Sequence, residues 1–192
     1  MFLNTGLIAF SILATGVILL LEDWRGRLAS VSIIQLIGFI LIVQIWPIAL
    51  ASVKLISGLM GIALLSTTFL AKVREKGETL ITSSRVFRLM MGAFGWIIVT
   101  ATVQRLNAWL PISYTNLFIG MVFFFSGILY ISLRTSTLDT ILGLLVFLEG
   151  FDVIYSSLEG SALVTGIYGI VIISICLTGS YLEGGFNFGG SE

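Results

Sequence analysis

Short polar clusters divide this chain into apolar stretches of about 20 residues. That is the length an α-helix needs to cross a ~30 Å hydrocarbon layer at 1.5 Å per residue. Seven such runs can be counted: residues 3–21, 28–45, 48–71, 87–104, 114–133, 138–157 and 162–182. The breaks between them are chemically distinct. The cluster Glu22-Asp23-Trp24-Arg25-Gly26-Arg27 ends the first run. Trp46-Pro47 predicts a tight turn after the second, because proline cannot continue a helix ladder and restricts the residue before it. The longest polar segment, 72–88, carries apolar Leu80, Ile81, Val86 and Phe87, which suggest a short interfacial helix. Residues 105–111 read as an interfacial connection anchored by Trp109. Residues 134–137 and 158–161 form short hairpin loops, and a Gly-rich tail, expected to be flexible, ends the chain at 184–192. The expected fold is all-α: a polytopic membrane protein of seven transmembrane helices.

Lys and Arg positions set the orientation. The loops after the first, third and fifth runs hold Arg25, Arg27, Lys72, Arg74, Lys76, Arg85, Arg88 and Arg134, and the other side holds Arg105. Eight against one predicts an N-terminus outside and a C-terminus inside.

Composition agrees with this pattern and removes several functions. Of 192 residues, 57% are hydrophobic and 10% charged, with a mean hydropathy of +1.10; a soluble domain carries roughly a quarter charged residues. Ten basic residues balance ten acidic ones, which leaves no basic surface for nucleic acid. With no histidine and one cysteine, Cys176 in an apolar run, haem, iron–sulfur and zinc ligation are implausible for this chain alone, as is His-based acid–base catalysis. There is no GxSxG. No catalytic site, cofactor or metal of its own is therefore expected. The N-terminus lacks a basic leader and a small-residue cleavage site, so it reads as a retained helix.

The candidate chemistry lies in the sixth run, LDTILGLLVFLEGFDVIYSS. Glu149 and Asp152 stand at i and i+3, and Ser156 at i+7 continues their face. Glu149 is roughly 16 Å into its helix, close to the midplane. Carboxyls in hydrocarbon are costly and face a partner helix or a water-filled path. Two on one stripe suggest a proton or cation route; the alternative is that they merely hydrogen-bond a neighbouring helix. Lys54, about two turns into the third run, either snorkels to the interface or partners a carboxylate. Gln35 and Gln104 suit interhelical hydrogen bonds, with Gln35 also a possible path residue. Glu159 extends the acidic stripe at its outer, solvated mouth. Asp139, at the inner mouth, suits the first turn of the sixth helix. Ser57, Gly58 and Gly61 allow close helix approach, as do Gly166, Gly169, Ser174, Thr178, Gly179 and Ser180 in the seventh run. The run Phe123-Phe124-Phe125 reads as lipid-facing bulk.

From Asn116 onward the chain resembles the K subunit of respiratory complex I (4L in mitochondria). The resemblance rests on Phe118-Ile119-Gly120, Leu133-Arg134, Ile141-Leu142-Gly143-Leu144 and Leu148-Glu149-Gly150-Phe151-Asp152-Val153. The four preceding helices, Lys54 within Ala51-Ser52-Val53-Lys54-Leu55, and the Leu-Glu-Gly register are similar to the E subunit of hydrogenase-4 and formate hydrogenlyase-type complexes. The resemblance implies a four-helix extension over 1–110 and a three-helix K-like region over 111–183. It also implies a place beside an antiporter-like subunit of an oxidoreductase complex in the plasma (inner) membrane, with the lipid bilayer and other membrane subunits as partners. Glu149, Asp152 and Lys54 would then belong to a proton or cation path. The K subunit usually has a second Glu in its last helix; the seventh run here has none, and Asp152 stands as the second carboxylate instead. The alternative is a free-standing small transporter or channel.

Overall fold

Each apolar run folds as a helix. A computed structural model describes residues 2–73 and 85–184. Among these are seven α-helices: α1 (Phe2–Leu20), α2 (Trp24–Val43), α3 (Ile48–Val73), α4 (Arg85–Leu106), α5 (Tyr114–Leu133), α6 (Thr137–Leu158) and α7 (Ala162–Gly184). Six of them, α2 to α7, are long and apolar enough to cross a membrane; α1 contributes a shorter apolar segment, Thr5–Leu20. The protein is thus a multi-pass membrane protein. The interfacial helix expected around Leu80 and Ile81, and residues 185–192 of the expected tail, lie outside the described residues.

The Trp46-Pro47 turn forms as the sequence predicts: the Trp46 N–H reaches back to the Ile42 carbonyl at 2.8 Å, and Pro47 starts the next helix by accepting from Leu50 N–H at 3.0 Å. Ser136 caps α6, its hydroxyl accepting from the Asp139 N–H at 3.1 Å and donating to Asp139 Oδ2 at 2.6 Å. Asp139 is thus bound by the cap, and its other oxygen is free for tertiary contacts.

The α5–α6 pair is the most intimate in the fold, and glycine is the reason. A Cβ on Gly127 would stand 2.7 Å from the Gly143 carbonyl oxygen and from the Phe147 Cα, and one on Gly120 would stand 3.1 Å from the Gly150 oxygen. The two backbones therefore touch at both levels, which only glycine allows. Gly150, beside Glu149, serves this contact. The pairing fixes the rotation of α6 and with it the direction of the acidic stripe. Around it, α2 packs on α3 and α6, α7 lies mainly along α3, and α1 and α4 close on α5.

Several expectations change. Phe123 does not face lipid: it is wholly buried, and Phe124 meets the Phe147 ring at 4.4 Å between centroids. Gln104 is exposed and bridges no helices, because α4 presents that face outward. The seventh helix packs closely only in part. Gly169 lies against Ser57, and Gly179 against Ile141 and Leu65, whereas Gly166, Ser174 and Thr178 are exposed. Cys176 is buried beside Gly61. Arg105 belongs to the last turn of α4 rather than to a loop. Glu183 belongs to α7 and accepts from the Leu138 N–H at 3.2 Å.

Candidate functional site

The rotation imposed by the α5–α6 contact turns Glu149, Asp152 and Ser156 inward; they are 3%, 2% and 1% exposed. Lys54 of α3 comes to meet them. Its ammonium is paired with Asp152 and donates to Ser156 Oγ at 2.8 Å. Ser156 Oγ lies 3.4 Å from the same carboxylate oxygen. Of the two readings of Lys54, the structure has the partnered one: the side chain does not snorkel, because a carboxylate and a hydroxyl sit within reach of its stem.

Two aromatic side chains complete the enclosure of the ammonium. It lies 4.2 Å from the centroid of the Trp46 ring and 5.4 Å from that of Tyr168, distances at which a ring face attracts a cation. The Trp46 indole N–H donates to the Ser156 carbonyl at 2.8 Å, tying the α2–α3 turn to the end of α6. The Tyr168 hydroxyl of α7 reaches Glu149 Oε2 at 3.4 Å, a long contact. Glu149 fits because the facing residue of α2 is Gly38: a Cβ there would collide with its carboxyl group. Four helices, α2, α3, α6 and α7, thus build the site. It holds two carboxyls and one ammonium, so Lys54 can neutralise one acid and leaves the other to hold or release a proton.

Gln35 is buried beside Gly58 of α3, and its Nε2 has no hydrogen-bond partner; the expected bond across helices through that amide is not made. Asp152 Oδ2 is also without a partner. Glu159 stands apart, exposed, accepting from the Tyr155 hydroxyl at 3.0 Å. Among the described residues no group of His, Cys, Asp and Glu is arranged to hold a metal ion.

A second polar cluster lies where α1 meets α2 and α5 meets α6. Asp139 is paired with Arg27 and accepts from the Tyr130 hydroxyl at 2.7 Å, with Arg134 Nη1 at 3.8 Å. Arg134 Nη2 also donates to the Leu21 carbonyl. Glu22 receives two bonds from Arg85, at 2.8 and 2.6 Å, and one from Arg88 at 3.3 Å. Arg27, Arg88 and Arg134 are all buried. On sequence they count only as charges that set orientation. Tyr168, Trp46 and Tyr130 were likewise missed as site residues; the only signal was a hydroxyl or indole N–H inside or beside an apolar run, which needs a hydrogen-bond partner when buried.

No protein-family model matches the chain, no curated protein matches it, and no solved structure matches it. What can be said of its role therefore rests on the two clusters and on the fold that forms them.

Proposed function

We propose that this protein is a membrane subunit of a complex-I-like assembly (hydrogenase, NADH or ferredoxin dehydrogenase, or antiporter-like) and that it relays protons or cations through Lys54, Asp152 and Glu149. The observation that carries the reading is the buried ion pair of Lys54 with Asp152, one helical turn from a second buried acid, Glu149. Ionisable groups at this depth are costly and mark ion pathways by default. The pair also joins α3 of the N-terminal extension to α6 of the K-like region, so that a charge change on one is felt by the other. Glu149 exchanges a proton with its surroundings, the Tyr168 hydroxyl and the free Asp152 oxygen offer the next hydrogen-bonding positions, and Lys54 sets the balance between the two acids electrostatically. The chain lies in the plasma (inner) membrane, seven times across, with its N-terminus outside and the arginine cluster on the inside, as the distribution of basic residues supports.

Glu149→Gln keeps the shape and removes the titratable proton. It should leave the complex assembled and electron transfer measurable while weakening ion uptake into vesicles. Asp152→Asn should give a smaller loss, and the double change little more than Glu149→Gln alone, since residues of one path act as a unit. Full pumping by Glu149→Gln, normalised to assembled complex, would sink the relay. An isolated chain that is monomeric, well folded and transport-competent in liposomes would select the free-standing transporter instead.

A further inference from the structure

Among the described residues, the arginine cluster holds more positive charge than its surroundings neutralise. Four guanidinium groups, of Arg27, Arg85, Arg88 and Arg134, face two carboxylates among the described residues, those of Asp139 and Glu22. Asp139 already takes Arg27, the Tyr130 hydroxyl and the Ser136 hydroxyl. Glu22 is held in a two-pronged contact by Arg85, and offers Arg88 only a 3.3 Å contact. Arg88 is nevertheless 0% exposed. Its Nε and Nη1 have no hydrogen-bond partner, nor do the Nε atoms of Arg27 and Arg134. A buried cation with idle donors is costly unless something supplies acceptors. Burial pulls the Arg134 guanidinium below its ordinary value; Tyr130 and Asp139 act against that shift, and Arg27 and Arg88 add to it.

We propose that Arg88, with Arg134 and Arg27, forms a binding site for a phosphate-type anion, supplied by the headgroup of an anionic phospholipid or by soluble phosphate. The planar guanidinium fork matches phosphate oxygens two at a time, and the idle N–H groups are the donors such a ligand needs. Location agrees. Arg27 and Arg88 are each the fourth residue of their helices, and Arg134 caps α5, so all three lie within a turn of a helix end, at headgroup depth. Exposed Val86, Phe87, Leu89 and Met90 on α4 flank Arg88 with apolar surface suited to acyl chains. Glu22, on the α1–α2 turn, is the acceptor that Arg88 already has, through Nη2 alone, which leaves Nε and Nη1 for another ligand. None of this depends on the relay at Glu149.

The test is a titration of the full chain, purified in mild detergent, followed by native mass spectrometry. The probes are phosphatidylglycerol, phosphatidylcholine and inorganic phosphate. The expected result is one phosphatidylglycerol bound at least about tenfold more tightly than phosphatidylcholine, with Arg88→Gln weakening it by roughly tenfold, the loss that goes with one charge-assisted hydrogen bond. Binding of inorganic phosphate without any preference between the lipids would support the same arginine site with a soluble source. Equal affinity for the two lipids together with no phosphate binding overturns the proposal. So does a phosphatidylglycerol preference that survives both Arg88→Gln and Arg134→Gln. Equal wild-type affinity for the two lipids with no phosphate binding refutes the site whether or not a variant folds, so a variant that fails to fold leaves the test standing.

Discussion

Removing Lys54 alone should be expensive, and removing it together with Asp152 should not. The side chains of the pair are 5% and 2% exposed, so neither charge is relieved by solvent. Two unit charges about 4 Å apart attract by roughly 4 kcal/mol at an effective dielectric of ~20. Much of that attraction only offsets the cost of taking both ions out of water. Lys54→Met keeps the volume of the stem but leaves Asp152 buried without its cation, and loses the contacts to Ser156, Trp46 and Tyr168. The expected loss is about 3–5 kcal/mol, as for other broken buried pairs. Asp152→Leu strands the ammonium in the same way, though Glu149, a turn away, can take over part of its role and should make this loss the smaller of the two. Lys54→Met with Asp152→Leu removes both charges and should lie within about 2 kcal/mol of the parent. The double variant would then fall about 3 kcal/mol or more short of the sum of the singles, where independent sites add to within about 0.5 kcal/mol. Equilibrium unfolding of the four proteins in one detergent measures the cycle. Single losses below about 1 kcal/mol, or simple additivity, would refute the ion pair as an energetic unit and with it the electrostatic role given to Lys54.

Gly127→Ala should destabilise the fold by about 1–3 kcal/mol or more, because its methyl would press on backbone atoms of Gly143 and Phe147 that cannot swing aside; an unchanged melting temperature would contradict the α5–α6 contact. Hydrogen bonds from Arg85, aided by the charges of Arg85 and Arg88, hold the Glu22 carboxyl down from 4.5 to about 2. A depressed carboxyl stabilises the fold fully above pH 4.5 and loses that contribution as pH falls through about 2, so acid unfolding should show a small step in this window that Glu22→Gln abolishes. Cysteines placed at Asp23 and Ser161 in a Cys176→Ala background should label from opposite faces of intact cells; labelling of both from one face would overturn the orientation.

The seven helices were legible in the sequence because a helix that crosses lipid must satisfy its backbone internally and needs a set length of apolar residues, both local properties. The acidic stripe was legible for a similar reason: spacings of three and seven residues put Glu149, Asp152 and Ser156 on one face of any helix. The destination of that face was not written there. In lipid the outside of a helix is as apolar as the inside, so the apolar pattern does not say which way Phe123, Gln104 or Lys54 points. The glycine contacts of α5 with α6 decided it, by fixing the rotation of α6 against its neighbours. Only then do Lys54 from α3, Tyr168 from α7 and Gly38 from α2 converge on the acids. The arginines show the same division. Their count at the helix ends is a property of the sequence, whereas the burial of Arg27, Arg88 and Arg134 depends on five helix ends meeting around Asp139 and Glu22, residues up to 117 positions apart along the chain.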